Sequence, residues 1–201
     1  MIEVDIKKKL GEFNLVASMK EKGIISITGK NGSGKTTLLR IIAGFLPQDS
    51  GYIKLNGKDI TKEEPEKRET VLISQGSIIP GMSVEKHLLW GAKIRKVDLK
   101  DNEIEEVKEL LGINFNGNSD KLSLGQKGRL AISTALLSKP RLLLIDEVFA
   151  NINNKEEFIK NLVYLLNKYN IEMIFISQDE KDSVFANSHL QMEGGKLLKI
   201  F

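Results

Sequence analysis

The feature that most constrains the fold is a glycine-rich loop of eight residues, Gly29-Lys30-Asn31-Gly32-Ser33-Gly34-Lys35-Thr36. A short β-branched run, Gly23 to Thr28, precedes it, and apolar residues at helical spacing, Thr36 to Ala43, follow it. In this strand-loop-helix context, glycines allow successive backbone amides to point inward at phosphate oxygens. The sequence therefore predicts a phosphate-binding loop (P-loop) in an α/β protein.

Two polar side chains of the loop have expected roles toward bound phosphates. Lys35 would bridge the β- and γ-phosphates, and the Thr36 hydroxyl would hold Mg²⁺. The helix that begins here adds the positive end of its dipole to the anion site. The residues predicted to bind the nucleotide in this part of the chain are Asn31, Gly32, Ser33, Gly34, Lys35, Thr36 and Thr37.

A second candidate site is an apolar run that ends in two carboxylates, Leu142 to Glu147. Such a run without alternation is typical of a strand buried on both faces, and α/β proteins bind ligands at the carboxyl ends of these strands. We expect Asp146 to hold the metal ion through water and Glu147 to orient or deprotonate an attacking water. Alone, a strand end with two solvated acids would explain the pattern equally well.

The remaining patterns indicate one domain, residues 1–201, with an inserted lobe. We predict an α/β fold: a P-loop core with a mainly parallel sheet, formed by residues 1–75 and 140–201, and a mainly helical lobe at 76–139. Antiparallel edge strands are expected at Glu3 to Lys22, Gly51 to Gly57, Leu190 to Met192 and Leu197 to Ile200. In the lobe, Trp90 is predicted to be a core aromatic residue.

Composition excludes several classes of protein. The 201 residues contain no cysteine, which rules out disulfides, thiolate metal sites and a cysteine nucleophile. Only Lys7 to Lys9 form a basic run within a net charge of +3, so no nucleic-acid partner is expected. No apolar stretch approaches the roughly 18 residues that span a bilayer, which favours a cytoplasmic protein. His87 and His189 have no ligand-spaced partners and are interpreted as ordinary structural histidines.

Between the two phosphate-site motifs lies a short segment, Leu122-Ser123-Leu124-Gly125-Gln126, immediately before a predicted helix. Ser123 can cap that helix, and the small Gly125 leaves its first amides open to an anion. Taken alone, the segment would be an ordinary helix N-cap. We call it the signature segment (Leu122–Gln126).

The order of these motifs resembles the nucleotide-binding subunit of ATP-binding cassette (ABC) transporters over essentially the whole chain. The P-loop is followed by a lone glutamine, Gln75, at a strand end, then by the signature segment and the acidic strand. Within that family, Pro65 to Arg68 and Ile78 to Val84 resemble the branch of molybdate, sulfate and sugar importers.

The resemblance implies a head-to-tail dimer, formed with a second copy or a paralogous subunit, that holds two ATP molecules between its halves. Ser123, Gly125 and Gln126 would then contact the γ-phosphate bound to the other subunit. Gln75 would lie near Mg²⁺ and the attacking water, completing a metal site with Thr36 and Asp146. Phe13 would stack on adenine, although a plain core phenylalanine is an equal alternative.

Four positions depart from the family pattern. Val148 follows Glu147 where proline is usual, Leu124 replaces a glycine, Asn153 stands in place of an aspartate, and Gln178 in place of a histidine. Glutamine can donate a hydrogen bond to a phosphate oxygen but cannot carry positive charge. We therefore expect ATP binding with slow hydrolysis, in which Glu147, Gln178 and Gln75 are the catalytic residues.

The leading function is an ATPase subunit that powers solute transport through a separate membrane permease, which would hold it at the inner face of the cell membrane. A groove beside Ser74 to Ser83 should receive a short helix of that permease. The alternatives are a catalytically weak partner in a heterodimer and a soluble non-transport ABC ATPase. The sequence leaves open the solute, the direction of transport, and the choice between homodimer and heterodimer.

Overall fold

A computed structural model describes residues 1–201, and its ten strands form one continuous mixed sheet. The strand order across the sheet is β5-β4-β1-β2-β10-β9-β3-β8-β7-β6. In chain order the strands are β1 (Ile2–Leu10), β2 (Phe13–Glu21), β3 (Ile24–Thr28), β4 (Ser50–Leu55), β5 (Lys58–Asp59), β6 (Thr70–Ile73), β7 (Leu142–Asp146), β8 (Glu172–Ile176), β9 (Ser188–Glu193) and β10 (Lys196–Lys199).

Of the five α-helices, α1, α4 and α5 contact strands of the sheet, whereas α2 and α3 pack on other helices. Three of them, α2 to α4, lie between β6 and β7 in the chain. No helix is both long enough and apolar enough to cross a bilayer. The helices are α1 (Lys35–Ile42), α2 (Val84–Arg95), α3 (Asp101–Leu110), α4 (Leu124–Leu137) and α5 (Lys155–Tyr169), and short 3₁₀ turns lie at Pro65–Lys67, Ser119–Lys121, Val148–Asn151 and Glu180–Phe185.

The two halves of the sheet differ in pairing, as the patterns predict. Strands β9, β3, β8, β7 and β6 pair in parallel, whereas β5, β4, β1 and β2 pair antiparallel. Every residue of β3 is buried, because apolar side chains pack on both of its faces. Ile25 and Ile27 contact the layer that contains α1, while Ile24 belongs to the core beneath the other helices.

Parallel register brings three strand ends to one edge of the sheet. Ile27 of β3 lies opposite Ile176 of β8, and Asp146 of β7 also lies opposite Ile176. The residues that follow these strands are the P-loop, Glu147 and the Ser177-Gln178 pair. The fold therefore assembles the predicted site from segments more than a hundred residues apart.

The hairpin of β9 and β10 is antiparallel as predicted, but its predicted place at the sheet edge is wrong. The same holds for β1, β2 and β4, because the edge strands are β5 and β6. β9 pairs in parallel with β3, and the Val16 N–H of β2 donates to Gly195 O at 2.7 Å, which joins β10 to the antiparallel half. An alternating apolar pattern indicates which residues of a strand face the core. It does not indicate which other strands pair with that strand.

The prediction that Trp90 is a core residue is also wrong. The buried residues of α2 are Val84, His87, Leu88 and Ala92, which form one helical stripe. Trp90 lies off that stripe, and 38% of it is exposed. The apolar residues of α2 outnumber the positions that face the core, so the helix presents a second, outer apolar surface.

Arg68 is a buried cation that holds the end of the P-loop helix. Its guanidinium donates to Ile41 O at 2.9 Å and to Ile42 O at 3.0 Å, in the last turn of α1. It also donates to Glu63 O at 2.8 Å and to Thr61 O at 2.9 Å. Terminal helix carbonyls lack intrahelical partners and carry partial negative charge, so a cation here satisfies and stabilises them.

We predict that Arg68→Met lowers the free energy of unfolding by about 3 kcal/mol, because it leaves four carbonyls without their charged donor. Urea denaturation of the two proteins measures the difference. Arg40→Met on the exposed face of α1 is the matched control and should stay within about 0.5 kcal/mol of the parent. Equal effects of the two substitutions would show that the Arg68 contacts do not stabilise the fold.

Candidate functional site

A polar cleft of about 530 Å³ opens at the carboxyl ends of β3, β6 and β7. It brings together most of the residues that the sequence assigns to the P-loop, the acidic strand and the glutamine motif. Phe13 is its one apolar residue. The lining consists of Phe13, Asn31, Gly32, Gly34, Lys35, Thr36, Thr37, Ser74, Gln75, Asp146 and Glu147.

Two loop glycines are required by close contacts. A Cβ at Gly29, where φ is 138°, would lie 2.2 Å from Met192 O, and one at Gly34, where φ is 109°, would lie 3.0 Å from Phe13 Cζ. Larger residues would displace β9 or the aromatic ring. The loop therefore keeps its shape because only glycine fits at both ends.

The centre of the loop contains two polar groups suited to an anion. Lys35 is 5% exposed, and its ammonium donates to Gly29 O at 2.7 Å and Lys30 O at 3.0 Å, across the loop. The Ser33 hydroxyl is buried and has no hydrogen-bond partner. A cation, a helix N-terminus and an unsatisfied hydroxyl in one loop constitute an environment that favours phosphate oxygens.

Asp146 is the half-buried carboxylate at the end of β7. Burial raises its pKa above the ordinary aspartate value, the hydrogen bond with the Thr36 side chain acts in the opposite direction, and the adjacent Glu147 charge raises it further. Lys35 partly offsets these effects. Thr36, Gln75 and Asp146, the three predicted metal ligands, all line the cleft.

Glu147 and Gln178 contact each other directly. Glu147 adopts a left-handed backbone with φ 56°, and its N–H donates to Ile176 O at 3.2 Å. The Gln178 side-chain amide donates to Glu147 Oε2 at 2.9 Å and to Asn31 Oδ1 at 3.4 Å. Gln178 therefore links the acidic pair to the P-loop, although it does not itself line the cleft.

In the loop that follows Gln75, both backbone polar groups of Ile79 form hydrogen bonds with side chains. The Ile79 N–H donates to His87 Nε2 at 3.1 Å, and the Ser119 hydroxyl donates to Ile79 O at 3.0 Å. His87 Nδ1 lies 3.0 Å from Thr134 Oγ1, so the neutral ring donates there and accepts at Nε2. His87 is thus a structural residue, and His189 likewise contacts Thr28 Oγ1 at 2.8 Å.

We predict a pH-dependent loss of stability from His87. Burial lowers the pKa of His87 below the ordinary histidine value of 6.5, so the unfolded chain binds a proton that the folded chain excludes. The contribution of the neutral ring to stability is complete above about pH 6.5 and decreases as the pH falls through that value. Unfolding free energies of the wild type and of His87→Gln between pH 5 and 7.5 should therefore converge toward low pH. If the unfolding free energies of the two proteins change with pH in parallel, His87 is not the buried neutral group inferred here.

The signature segment lies outside the cleft of its own chain. Ser123 Oγ accepts from the Gln126 N–H at 3.2 Å, and Gln126 Oε1 accepts from the Ser123 N–H at 3.0 Å, which confirms the predicted cap of α4 as a reciprocal capping box. A Cβ at Gly125 would lie 2.3 Å from Asn151 O, so this glycine allows α4 to pack against the turn at Val148–Asn151.

The four departures from the family pattern occupy different environments. Val148 is buried against Gly128, where an added Cβ would lie 2.9 Å from Val148 Cγ1. Leu124 is 64% exposed at the start of α4. The Asn153 carbonyl accepts from the Arg129 guanidinium at 2.5 Å, so this residue is attached to α4 through its backbone. Gln178 has the contacts given above.

One residue of the cleft, Ser74, is predicted only as part of the strand-end glutamine motif and of the permease groove, and not as a nucleotide-site residue. Ser74 lies between the end of β6 and Gln75, and its N–H donates to Ser77 Oγ at 3.0 Å. Its position beside the strand-end glutamine is the only signal that the sequence offers for it. Phe13, by contrast, lies in the cleft beside Gly34, where adenine stacking stays a prediction.

Comparison with known proteins identifies the family. Residues 13–150 match the model of the ABC transporter family. The chain belongs to the ABC transporter family. ATP hydrolysis is the reaction expected of such a cassette, and the mixed α/β architecture described above is that of the ABC ATPase fold.

Relatives of this cassette are import subunits. It is 31% identical to a probable sulfate/thiosulfate import ATP-binding protein of Chlorella vulgaris, over 98% of this chain and 88% of the relative. It is 33% identical to a molybdenum import ATP-binding protein of Haemophilus ducreyi and 34% identical to a molybdate/tungstate import ATP-binding protein of Pyrococcus horikoshii, over 98% and 100% of this chain. The chain spans 59% and 61% of the length of those two proteins.

Solved cassettes share the fold over the full length. A bacterial ABC transporter cassette solved as a dimer has a TM-score of 0.81 over 100% of this chain and 99% of its own, at 21% identity. A second ATP-binding cassette, in its ADP conformation, has a TM-score of 0.79 over 98% of this chain and 89% of its own, at 25% identity.

Proposed function

We propose that this cassette binds Mg-ATP and hydrolyses it within a head-to-tail dimer, powering solute transport through a separate membrane permease. The observation that carries the proposal is the convergence of the P-loop, Gln75 and the Asp146-Glu147 pair on one cleft. The import functions of the relatives favour transport over a soluble non-transport role. They act on different solutes, so the solute of this protein stays open.

The cleft residues fit magnesium. Mg²⁺ prefers oxygen ligands, and the Thr36 hydroxyl, the Gln75 side chain and the Asp146 carboxylate all face the same space beside Lys35. A carboxylate whose pKa is raised by burial gains from a cation that replaces the proton. When bound, the ion neutralises phosphate charge as the γ-phosphoryl group is transferred.

The chain's own residues would then share the remaining work. Lys35 and the loop amides bind and orient the β- and γ-phosphates. Glu147 accepts a hydrogen bond from the attacking water and takes its proton, and Gln75 orients that water. Gln178, which already donates to Glu147 at 2.9 Å, fixes the carboxylate and can donate to a γ-phosphate oxygen.

The second half of the site would come from another subunit. Ser123, Gly125 and Gln126 lie outside their own cleft at the N-terminus of α4, a helix of 14 residues. The capping box holds the two polar side chains in fixed positions, and the helix dipole favours a negative ligand. We propose that these three residues contact the γ-phosphate bound to the partner subunit.

We predict that the Glu147→Gln variant is monomeric without nucleotide and dimeric with Mg-ATP, because the γ-phosphate forms part of the interface and hydrolysis is blocked. Light scattering should show the mass of one chain rising to that of two with ATP and not with ADP. Lys35→Ala in the same background is the control that should stay monomeric, since it removes a charge-assisted phosphate contact. An oligomeric state that is independent of nucleotide would contradict the proposed dimer with ATP between its halves.

The permease would bind beside the loop that follows Gln75. An apolar cavity of about 270 Å³ lies there, lined in part by Ser77, Ile79, Trp90 and Ile94. Trp90 and Ile94 are 38% and 61% exposed, which leaves apolar surface for a short helix of a membrane subunit. Such binding would hold the cassette at the inner face of the cell membrane.

A second candidate is a catalytically weak subunit that completes a composite site in a heterodimer. Gln178 and Asn153 favour it, because neither can supply the charge of the histidine and aspartate that they replace. The two candidates differ in the hydrolysis rate of the purified chain alone.

We predict slow but measurable hydrolysis by the homodimer, abolished in Glu147→Gln and raised about tenfold in Gln178→His, because histidine adds positive charge where negative charge develops. Gln178→Ala is the control and should be slower than the wild type. Steady-state phosphate release at saturating Mg-ATP measures all four proteins. A fast wild type that Gln178→His slows would exclude the weak-subunit candidate.

A further inference from the structure

A polar hydrogen-bond network surrounds the residues next to Gln178 in the sequence. Ser177, the preceding residue, donates from Oγ to Asp182 Oδ2 at 2.6 Å and accepts from the Asp179 N–H at 3.0 Å. Asp182 is 2% exposed and sits in the 3₁₀ turn at Glu180–Phe185. The residues on both sides of Gln178 are therefore restrained, while the Gln178 side chain donates to Glu147.

Lys155 provides the positive charge of this network. Its ammonium lies 2.7 Å from Asp182 Oδ1 and 2.9 Å from Asp179 Oδ2. Burial lowers the pKa of Lys155, but its hydrogen bonds to the two aspartates outweigh that effect and raise it above the ordinary value. Without the ammonium, Asp182 would be a buried carboxylate whose remaining side-chain partner is a hydroxyl, which is an unfavourable arrangement.

Lys155 also connects the two chain segments that contain Glu147 and Gln178. It is the first residue of α5, and the chain runs from Glu147 through the turn at Val148–Asn151 and three further residues to it. Its partners Asp179 and Asp182 belong to the segment after β8 that carries Gln178. The ion pairs therefore join the end of one segment to the other, in addition to the Gln178–Glu147 hydrogen bond.

The need for such a connection follows from the chemistry of glutamine. Three side-chain torsions separate its amide from the backbone, whereas histidine has two, so glutamine loses more rotamer freedom when it is held in one position. A fixed backbone removes the remaining freedom that comes from loop motion. A misplacement of about 1 Å at a reacting group can reduce a rate by about a hundredfold.

We propose that Lys155 is a positioning residue for hydrolysis, whose ion pairs with Asp179 and Asp182 hold the Ser177–Asp179 turn where the Gln178 amide reaches Glu147. The proposal rests on the proposed ATPase function. Lys155 touches neither Glu147 nor the P-loop through any ion pair or hydrogen bond of the structure, so it acts only through the turn.

The first test compares Lys155→Met with Lys155→Arg. We expect Lys155→Met to lower kcat by about tenfold or more while KM and the calorimetric ATP affinity stay within twofold. Arginine can donate to both carboxylates, so Lys155→Arg should retain most of the rate. The matched control is Lys108→Met, which breaks the exposed Lys108–Glu105 pair and should leave kcat unchanged. An unchanged kcat in Lys155→Met would overturn the proposal.

The second test separates positioning from general destabilisation. In a Gln178→Ala background, Lys155→Met should cause no further loss of kcat, because its effect passes through the missing side chain. An equal loss in both backgrounds would overturn the proposal. If Lys155→Met does not fold, Asp179→Asn is the milder variant: it neutralises one partner at a half-exposed position and should lower kcat in the same sense.

Amide hydrogen exchange tests whether Lys155 holds the turn without relying on ATP turnover. In Lys155→Met, amide exchange at residues 177–185 should accelerate, with no change in the P-loop segment 29–37. If the wild type hydrolyses no ATP, the proposed function fails, and this measurement still decides whether Lys155 holds the turn. Unchanged exchange at 177–185 would overturn the proposal.

Discussion

Parallel pairing of β3, β8 and β7 is the constraint on which the site depends. Because the register aligns Ile27, Ile176 and Asp146, the three strands end at the same level. The chain leaves each strand through a turn that contains a polar group of the site. Any slip in register would move the P-loop away from the carboxylates, since successive strand residues point to opposite faces.

Three cations restrain segments around the sheet: Arg129 and Lys155 lie near this edge, and Arg68 lies at the far end of the P-loop helix. Arg68 binds the last carbonyls of α1, Arg129 attaches α4 to Asn153, and Lys155 pairs with Asp179 and Asp182. Loops carry exposed backbone groups and little apolar contact, so the apolar core alone does not fix them. Charged side chains that reach backbone carbonyls or carboxylates supply that restraint.

The four departures from the family pattern are not among the residues that line the cleft. Lys35, Thr36 and Asp146 line it, whereas Gln178 contacts Glu147 and Asn153 contacts Arg129. Binding depends on local amides and one ammonium. Hydrolysis requires, in addition, positive potential at the γ-phosphate, and an amide supplies less of it than an imidazolium.

Local features were determined by the sequence itself: the P-loop that only glycine can form, the cap at Ser123, and the buried central strands. These follow from backbone sterics, short hydrogen bonds and burial patterns within a few residues. The position of the β9–β10 hairpin inside the sheet, the exposure of Trp90 and the contact between Gln178 and Glu147 were decided only by the tertiary structure. Each depends on which distant segment becomes a neighbour, and a local pattern shows that a residue is buried or polar without showing what it meets.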